Sequence, residues 1–523
     1  MHEGLIMLKG SIQRYIAVFF AVTLILSGCG WKKPQNKDTD TQSSAAINLQ
    51  MRLPDTLNPL RSENQSIRDA FSLCYEPLFA LNENMEIEGV LARNINVADD
   101  CMSAVVTLKD SALWNDSVKF TSADVVYTIN LLKEEGSLEY SDCVKYIESV
   151  QSIDPLTLRL NLSRPYGQIA YSLYFPIVSS HNTDIDNNVV GTGAYVLDKY
   201  TPSVSLELKR NDSWHGGMAS SERVTISMIR DIETATSAFN AGIINTITNK
   251  SFDLENKTPK ANTRTTYYPS SDYEFMAFNH KNRIFSSRAI RSAISCAIDR
   301  SVIVSDCYST AAQEANTPLH PQCTKMAPSS VSVQYNLANA GEMLFLEGYS
   351  LNEKTALLQN ENGQALSFTL LVNSENESRK KCARILQSQL AVAGIQMDIK
   401  EMDFDSYTQA IKSGSYDAYL GGVKIGNIFD FEFLLSESGS LNNYGYSNEY
   451  MQLALLSIAS APSDDSLSDA VYNFEEIFLR EQPLCGLVFK KDSLITSENV
   501  MGRLLPQMDF PYRNIANWSI KGM

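Results

Sequence analysis

Cys29 is the first residue whose type and position could do chemistry. It follows Leu26-Ser27-Gly28 and closes an apolar run from Tyr15 to Leu26, with Lys9 and Arg14 upstream as a basic region. About a dozen apolar residues suit the core of an export signal and fall short of the ~20 needed to span a bilayer. Small residues before the cysteine mark a cleavage point. The cut would leave the thiol near the new N-terminus, where a lipid could be attached. Met7 to Arg14 already forms a complete basic region, so Met7 is a second candidate start.

The rest of the chain offers little to a catalyst. Its five histidines are His2, His181, His215, His280 and His320, and no two stand four residues apart on one helical face. The phosphate-cradling GxxxxGK[ST], the zinc-binding HExxH and the nucleophile-presenting GxSxG are all absent. Gly191-Thr-Gly193 is a lone GxG, too weak to mark a nucleotide site. The carboxylates show no spacing that marks a glycosidase pair. None of the nine cysteines forms a CxxC pair, so a zinc or redox motif is not indicated. Cys307 and Cys323 are the nearest candidates for a disulfide. Cys296 and Cys382 sit in helical, apolar settings where buried free thiols are expected. These observations favour binding over catalysis, and neither a cofactor nor a resident metal is expected.

The elements that would position a binding site form an α/β pattern. Leu156-Thr-Leu158-Arg-Leu160-Asn-Leu162 and Val204-Ser-Leu206-Glu-Leu208-Lys alternate as strands with one buried face. Thr121-Ser-Ala-Asp124 is a capping box that opens a helix carrying Val125, Val126, Ile129 and Leu132. Ile290, Ala293, Ile294, Ala297 and Ile298 recur at helical spacing. Strand 366–372, helix 378–393 and strand 395–402 form a βαβ unit. Segment 29–46 is polar and carries a proline, and it reads as a disordered tether. The chain has 523 residues, too many for one ordinary core, so at least two domains are expected. Its formal net charge is −16 without any Lys/Arg run, which argues against nucleic acid as a partner.

Several stretches, taken in order, resemble the family 5 extracellular solute-binding proteins of ABC transporters, the oligopeptide- and dipeptide-binding group. They are Asp55-Thr-Leu-Asn58-Pro59-Leu60, Tyr75-Glu-Pro-Leu-Phe79, and Trp114-Asn-Asp116-Ser-Val-Lys-Phe-Thr-Ser-Ala-Asp124-Val-Val-Tyr127. Then come Gly191-Thr-Gly193-Ala-Tyr195, Arg210-Asn211-Asp-Ser-Trp214, Phe278-Asn279 and Arg291-Ser-Ala-Ile-Ser-Cys-Ala-Ile-Asp299-Arg300. Asn443-Tyr444-Gly445-Tyr446 and Glu481-Gln-Pro-Leu-Cys-Gly-Leu-Val-Phe489 close the series. The segment ending at Cys29 is similar to the bacterial lipobox, in which a diacylglyceryl group is attached to the cysteine sulfur.

The resemblance implies a two-lobed, periplasmic-binding-protein-like fold (type II, cluster C) with hinge closure. It puts the signal at 1–28, the tether at 29–46, a discontinuous lobe I at 47–268 and 488–523, and lobe II at 269–487. The chain is expected to cross between lobes near Thr266–Phe275 and Leu484–Lys490. The implied protein is no enzyme but a receptor held at the cell membrane by a lipid on Cys29. It would capture peptides, oligopeptides in particular, in the inter-lobe cleft and pass them to permease subunits driven by cytoplasmic ATPases. By the same resemblance Leu57, Asn58, Tyr195, Asn279, Gly421, Gly422, Asn443 and Tyr444 should face the cleft. Trp114, Pro59, Asp124 and Arg300 should be conformational or packing elements. Two departures bear on cargo. Gly422-Val-Lys424-Ile425 stands where peptide binders carry a Trp and an ammonium-holding Asp, leaving only Asp430 nearby. Asn373 stands where dipeptide binders carry a carboxylate-binding Arg. A dipeptide specialist is disfavoured, and a longer peptide, a sugar or a metal chelate remains open. Nickel would call on His280. A sensory lipoprotein that presents its ligand without transport is the reading from another class.

Overall fold

The computed structural model describes residues 46–136, 139–249, 262–324 and 332–521. The expected signal, Cys29 and tether residues up to 45 lie outside the described residues. Beyond them, the buried apolar residues form one large core in the first lobe, a small cluster around Ile247 and Ile495, and two clusters in the second lobe. In the first, Ile47, Leu49 and Met51 are fully buried, while Asn48 and Gln50 between them are partly exposed. This two-residue period places one face of the strand Ile47–Met51 against the core. That strand pairs in parallel with Arg223–Met228, and the antiparallel strands Ser205–Arg210 and Tyr195–Thr201 complete a four-stranded sheet. A second four-stranded sheet, wholly antiparallel, runs Ala92–Val97, Ser103–Leu108, Thr157–Leu162, Ile147–Asp154. The helix Ser122–Glu135 begins with the expected capping box. Asp124 accepts from the Thr121 amide at 2.9 Å, and Gly136 ends the helix in the left-handed region. The C-terminal stretch returns to this core through Val500, Leu504, Tyr512 and Trp518.

A seven-stranded mixed sheet forms the centre of the other lobe and reaches back to the first through Thr246–Asn249 and the strand ends it pairs with. Its main path runs Thr246–Asn249, Leu484–Ser497, Thr263–Phe278, Ala418–Lys424, Ser367–Asn373, Gln396–Met402, with Ala312–Glu314 pairing on Leu484–Ser497. Ser367–Asn373 and Gln396–Met402 are parallel neighbours joined by the helix Glu377–Val392, the expected βαβ unit. A crossover helix is what lets parallel strands lie side by side. Arg300 is buried and donates to the carbonyls of Gly486, Ser295 and Ile298. It thereby ties the helix Arg300–Tyr308 to the strand Leu484–Ser497.

Both crossings between cores occur inside paired strands. Tyr268 and Leu494 belong to the first core, whereas Tyr273 and Phe489 belong to the second. Between them the ladder slips register from Pro269 to Tyr273. Pro269 has no amide to give a ladder, which localises the irregularity. The eight described cysteines are all free. The candidate pair Cys307 and Cys323 is not bonded, and the two thiols sit in different apolar clusters. Cys307 instead shares a hydrogen bond with the buried thiol of Cys382. Among the described residues no helix is long and apolar enough to cross a membrane.

Candidate functional site

A cavity of about 490 Å³ lies between the two lobes. The first lobe contributes Pro59, Arg68, Phe71, Tyr75, Tyr140, Lys145 and Tyr174, together with Asp509 and Phe510 of the returning C-terminal stretch. The second contributes Ser271, Val423, Lys424, Asn427, Asp430 and Phe433. Its size falls within the range that encloses small organic ligands, and its lining mixes aromatic faces with a few charges.

Local structure explains how these side chains are held. Asn58 is fully buried. Its side-chain oxygen accepts from the Leu60 amide at 3.0 Å, and its Nδ2 donates to Asp186 at 3.0 Å. That turn sets Pro59 at the rim. Arg68, on the helix Gln65–Phe71, pairs with Glu139 at 2.9 Å and donates to the Ser62 carbonyl at 2.8 Å. Cys143, beside Tyr174, is pushed up to about 12 by burial, so its thiol stays protonated. Among the described residues, no histidine borders the cavity.

Several contacts cross between the lobes at the cavity's edge. Lys145 Nζ meets Asp430 Oδ2 at 2.8 Å. Burial works to lower the Lys145 ammonium, but the Asp430 carboxylate outweighs it and the net shift is upward. Arg164 grips both oxygens of Glu432, one of them at 2.6 Å. Both cations also lie over the Tyr146 ring, at 4.7 and 5.0 Å from its centre. Asn427 donates to the Tyr166 hydroxyl at 2.6 Å and to Ser172 at 3.1 Å. Gly167 donates its amide to the Ala459 carbonyl at 2.7 Å, and a Cβ on it would stand 2.0 Å from the Ala461 oxygen. Only glycine lets the two backbones meet there. Beside this polar edge an apolar seam brings Leu81, Met85, Tyr171 and Met508 of the first lobe's chain against the cluster holding Ile428 and Phe429.

None of the eight residues expected at the cleft borders this cavity. Asn58 braces the Pro59 turn from behind, and Leu57 packs on the first core. Tyr195 is fully buried there and donates to the Ser221 carbonyl. Asn279 donates to the carbonyls of Gly414 and Tyr416, at the far end of its strand. Tyr444 is buried and donates to the Leu434 carbonyl, while exposed Asn443 donates its amide to Leu441. Gly421 lies against the rings of Tyr419 and Phe275, and Gly422 against the Arg379–Glu274 pair. A tyrosine that can satisfy its hydroxyl on a nearby carbonyl gains more from burial than from facing water. The walls come instead from neighbours of these residues: Pro59 after Asn58, Val423 and Lys424 after Gly422, and Ser440 and Leu441 before Asn443. Lys424 and Asp430, whose placement the sequence left open, both border the cavity. Asn373 caps the turn before the helix Glu377–Val392. His280 donates from Nε2 to the Pro483 carbonyl, packs against Tyr444 and Tyr446, and is lowered to about 4 by burial. Trp114 and Asp124 are structural as expected. Asp124 accepts from the Trp114 indole and, through its other oxygen, from the Ser180 amide and hydroxyl. Gly191, in the lone GxG, is pressed on the Cys74 carbonyl, a packing reason for the glycine. Asp509 carried no sequence signal, since only the fold brings the C-terminal stretch to the cleft.

Residues 86–445 match the family described as bacterial extracellular solute-binding proteins, family 5. The oligopeptide-binding protein AppA of Bacillus subtilis is 21% identical, across 96% of this chain and 97% of its own length. The nickel-binding protein NikA of Staphylococcus aureus is 23% identical, across 83% and 84%. Among solved structures, the unliganded open form of the periplasmic murein tripeptide binding protein MppA superposes with a TM-score of 0.79 at 18% identity, covering 91% of this chain and 97% of that one. The separate cores, the twice-crossing strands and the cavity between lobes agree with these likenesses: the chain belongs to the family 5 bacterial extracellular solute-binding proteins.

Proposed function

We propose that this protein is a lipid-anchored receptor that captures peptides in the inter-lobe cavity and delivers them to an ABC permease. The observation that carries the reading is the cavity itself, an aromatic and charged space whose two walls ride on different cores. The end-to-end match with an oligopeptide-binding relative supports peptide as the cargo. Burying a ligand between lobes strengthens each polar contact and converts binding energy into a change of shape that a permease can sense. We assign lobe I to 47–268 and the chain after the second crossing, lobe II to the chain between the crossings, and the hinge to the two crossing strands; Val488 and Phe489 pack in the second lobe, so the second crossing falls later than the expected 488. The residues flanking Asn58, Gly422 and Asn443 form the contact loops. Cys29 carries the lipid, which confines the receptor to the membrane that holds its permease and raises their effective concentration.

Thermal melting with peptide mixtures of defined length tests the cargo. A concentration-dependent rise in Tm is expected by linkage, with native mass spectrometry identifying what stays bound. A rise with sugars or metal chelates, and with no peptide of any length, would overturn the peptide reading. Cys29→Ala should release the protein from membranes and leave soluble binding intact.

A further inference from the structure

Of the eight described thiols only one is more than marginally open to solvent, and it faces a second sulfur. Cys307 is half-buried in the last turn of the helix Arg300–Tyr308, while the other seven are buried. Cys382, on the helix Glu377–Val392, is among those seven and donates its S–H to the Cys307 sulfur. The packing of the two helices fixes this meeting. At the start of the first, the Asp299 amide donates to Gln389 Oε1 at 3.0 Å, and Gln389 Nε2 donates back to the Asp299 carbonyl at 3.1 Å. From that clasp Cys307 lies eight residues forward and Cys382 seven residues back, about 12 and 11 Å along their helices. The helices are therefore antiparallel neighbours, and nearly equal travel along each brings the two sulfurs to one level.

Their surroundings give the two thiols different characters. The hydrogen bond from Cys382 favours the Cys307 thiolate, burial opposes it, the Lys381 ammonium helps and the Asp306 carboxylate hinders. The net effect holds Cys307 below the usual thiol range. Cys382 is raised well above that range, by the hydrogen bond it donates to Cys307 and by burial. Burial alone pushes Cys74 up to about 12, and dominates for Cys143 and Cys323, which also reach about 12. Asp306 and Lys381, the chain neighbours of the paired cysteines, line a recess of about 530 Å³ between the helices, with Val302, Ile385 and Ser388. The recess adjoins the thiol pair and has room for a small reagent. Neither cysteine borders the inter-lobe cavity, so chemistry here is separate from cargo capture.

We infer that Cys307 and Cys382 form a dithiol site that closes to a disulfide by exchange with a small-molecule disulfide, Cys307 attacking and Cys382 resolving. The Cys307 thiolate attacks one sulfur of the reagent. The reagent's S–S bond breaks, a mixed disulfide forms on Cys307, and one small thiolate leaves. Cys382 gives its proton to that thiolate and attacks the Cys307 sulfur, which expels the second small thiolate. That thiolate takes up from water the proton Cys307 had released to it. In sum, two protein thiols and one small disulfide become one protein disulfide and two small thiols, and two electrons pass from the protein to the reagent. The family works outside the cytoplasm, where disulfides form and persist. The bond joins the helix that Arg300 ties to Leu484–Ser497 with the helix whose Arg379 holds Glu274. It closes the whole stretch between them into one loop, which restricts the unfolded chain and stabilises the second lobe.

The test uses the mature protein, reduced, freed of reductant and exposed to excess oxidised glutathione in its folded state. Free thiols are then alkylated under denaturing conditions, and the cysteines are mapped by peptide mass spectrometry. A cross-link from Cys307 to Cys382 is expected, with two glutathiones released per chain and the six other described cysteines alkylated. Cys382→Ala should trap one glutathione on Cys307, and Cys307→Ser should abolish both adduct and cross-link. The cross-linked protein should melt about 3 °C or more above the reduced protein, a gain that dithiothreitol reverses. Alkyl groups on both Cys307 and Cys382 after exposure would overturn the inference. So would a glutathione that stays on Cys307 of the unaltered protein while Cys382 is alkylated, or a cross-link that forms preferentially between another pair. A Tm that falls on cross-linking would overturn it too, because the bond would then be forcing apart a packing that does not hold the sulfurs together. These readings come from the unaltered chain and stand whether or not either variant folds.

Discussion

Two groups of ion pairs, one inside a lobe and one between lobes, use the same residue types to different ends. Glu274 lies on the strand Thr263–Phe278, where it takes Arg379 at 2.7 and 3.0 Å and Lys490 at 2.8 Å. Its side chain is 6% exposed, and those of Arg379 and Lys490 are 17% and 15% exposed. All three ride on the second lobe's sheet and its βαβ helix. At the cavity edge, Lys145–Asp430 and Arg164–Glu432 join different cores and keep contact with water, with Lys145 37% and Arg164 31% exposed. A pair carried by one rigid body is assembled once, on folding, and can be dry and saturated. A pair carried by two bodies must part whenever they part, and partial hydration keeps its strength within reach of thermal motion.

The largest test of this contrast is Glu274→Ala. It would strand a guanidinium and an ammonium in a low-dielectric setting, and we expect a loss of about 3–5 kcal/mol in urea denaturation. A loss below about 1 kcal/mol would erase the distinction between the two groups.

Acid probes the buried side next. Burial alone would raise Glu274, but Arg379 and Lys490 outweigh it and hold the carboxyl below the usual glutamate range. Its stabilisation is therefore present above the ordinary glutamate pKa and fades only as pH falls below it. Two histidines act earlier. Burial lowers His280 to about 4 and His320 to about 3. From pH 6.5 down to 4 the unfolded chain binds protons that the folded chain refuses, so stability falls with pH, by at most about 1.4 kcal/mol per unit for each histidine. Denaturation at stepped pH should show this slope, and His320→Gln should reduce it. A flat profile between pH 6.5 and 4 would contradict the burial of these rings.

The smallest stability effect is expected at the edge. Arg164→Ala should cost no more than about 1 kcal/mol on unfolding. It should instead speed ligand release severalfold, an effect that high salt mimics in the unaltered protein. Stopped-flow release alongside denaturation separates the two quantities. If Arg164→Ala destabilised the fold as much as Glu274→Ala, the pair would be structural and the contrast would break.

Much of the scaffold was legible because local rules and tertiary packing agree. Thr121-Ser-Ala-Asp124 caps its helix whatever surrounds it, and the alternation in 395–402 commits one face of that strand to a core. Cleft-facing residues were less legible, for a physical reason. A motif marks a turn, and the turn's demanding residue is often the one that folds it, such as Asn58 bracing the chain behind Pro59. Tyr195 and Tyr444 could serve a wet pocket or a core equally well, and only the carbonyls of Ser221 and Leu434 decide between them. Asp509 lies 85 residues from Lys424 in sequence, yet both border the cavity, and no local pattern can announce a meeting of that kind.

The apolar seam between the lobes has one further consequence. Met85 and Met508, both of the first lobe's chain, are nearly dry within the second lobe's cluster. Unbranched thioether chains cling as strongly as leucine yet rearrange through several rotamers at little cost. A joint surfaced in this way separates adhesion from stiffness: it resists being pulled apart while allowing one half to roll over the other, much as a greased bearing does.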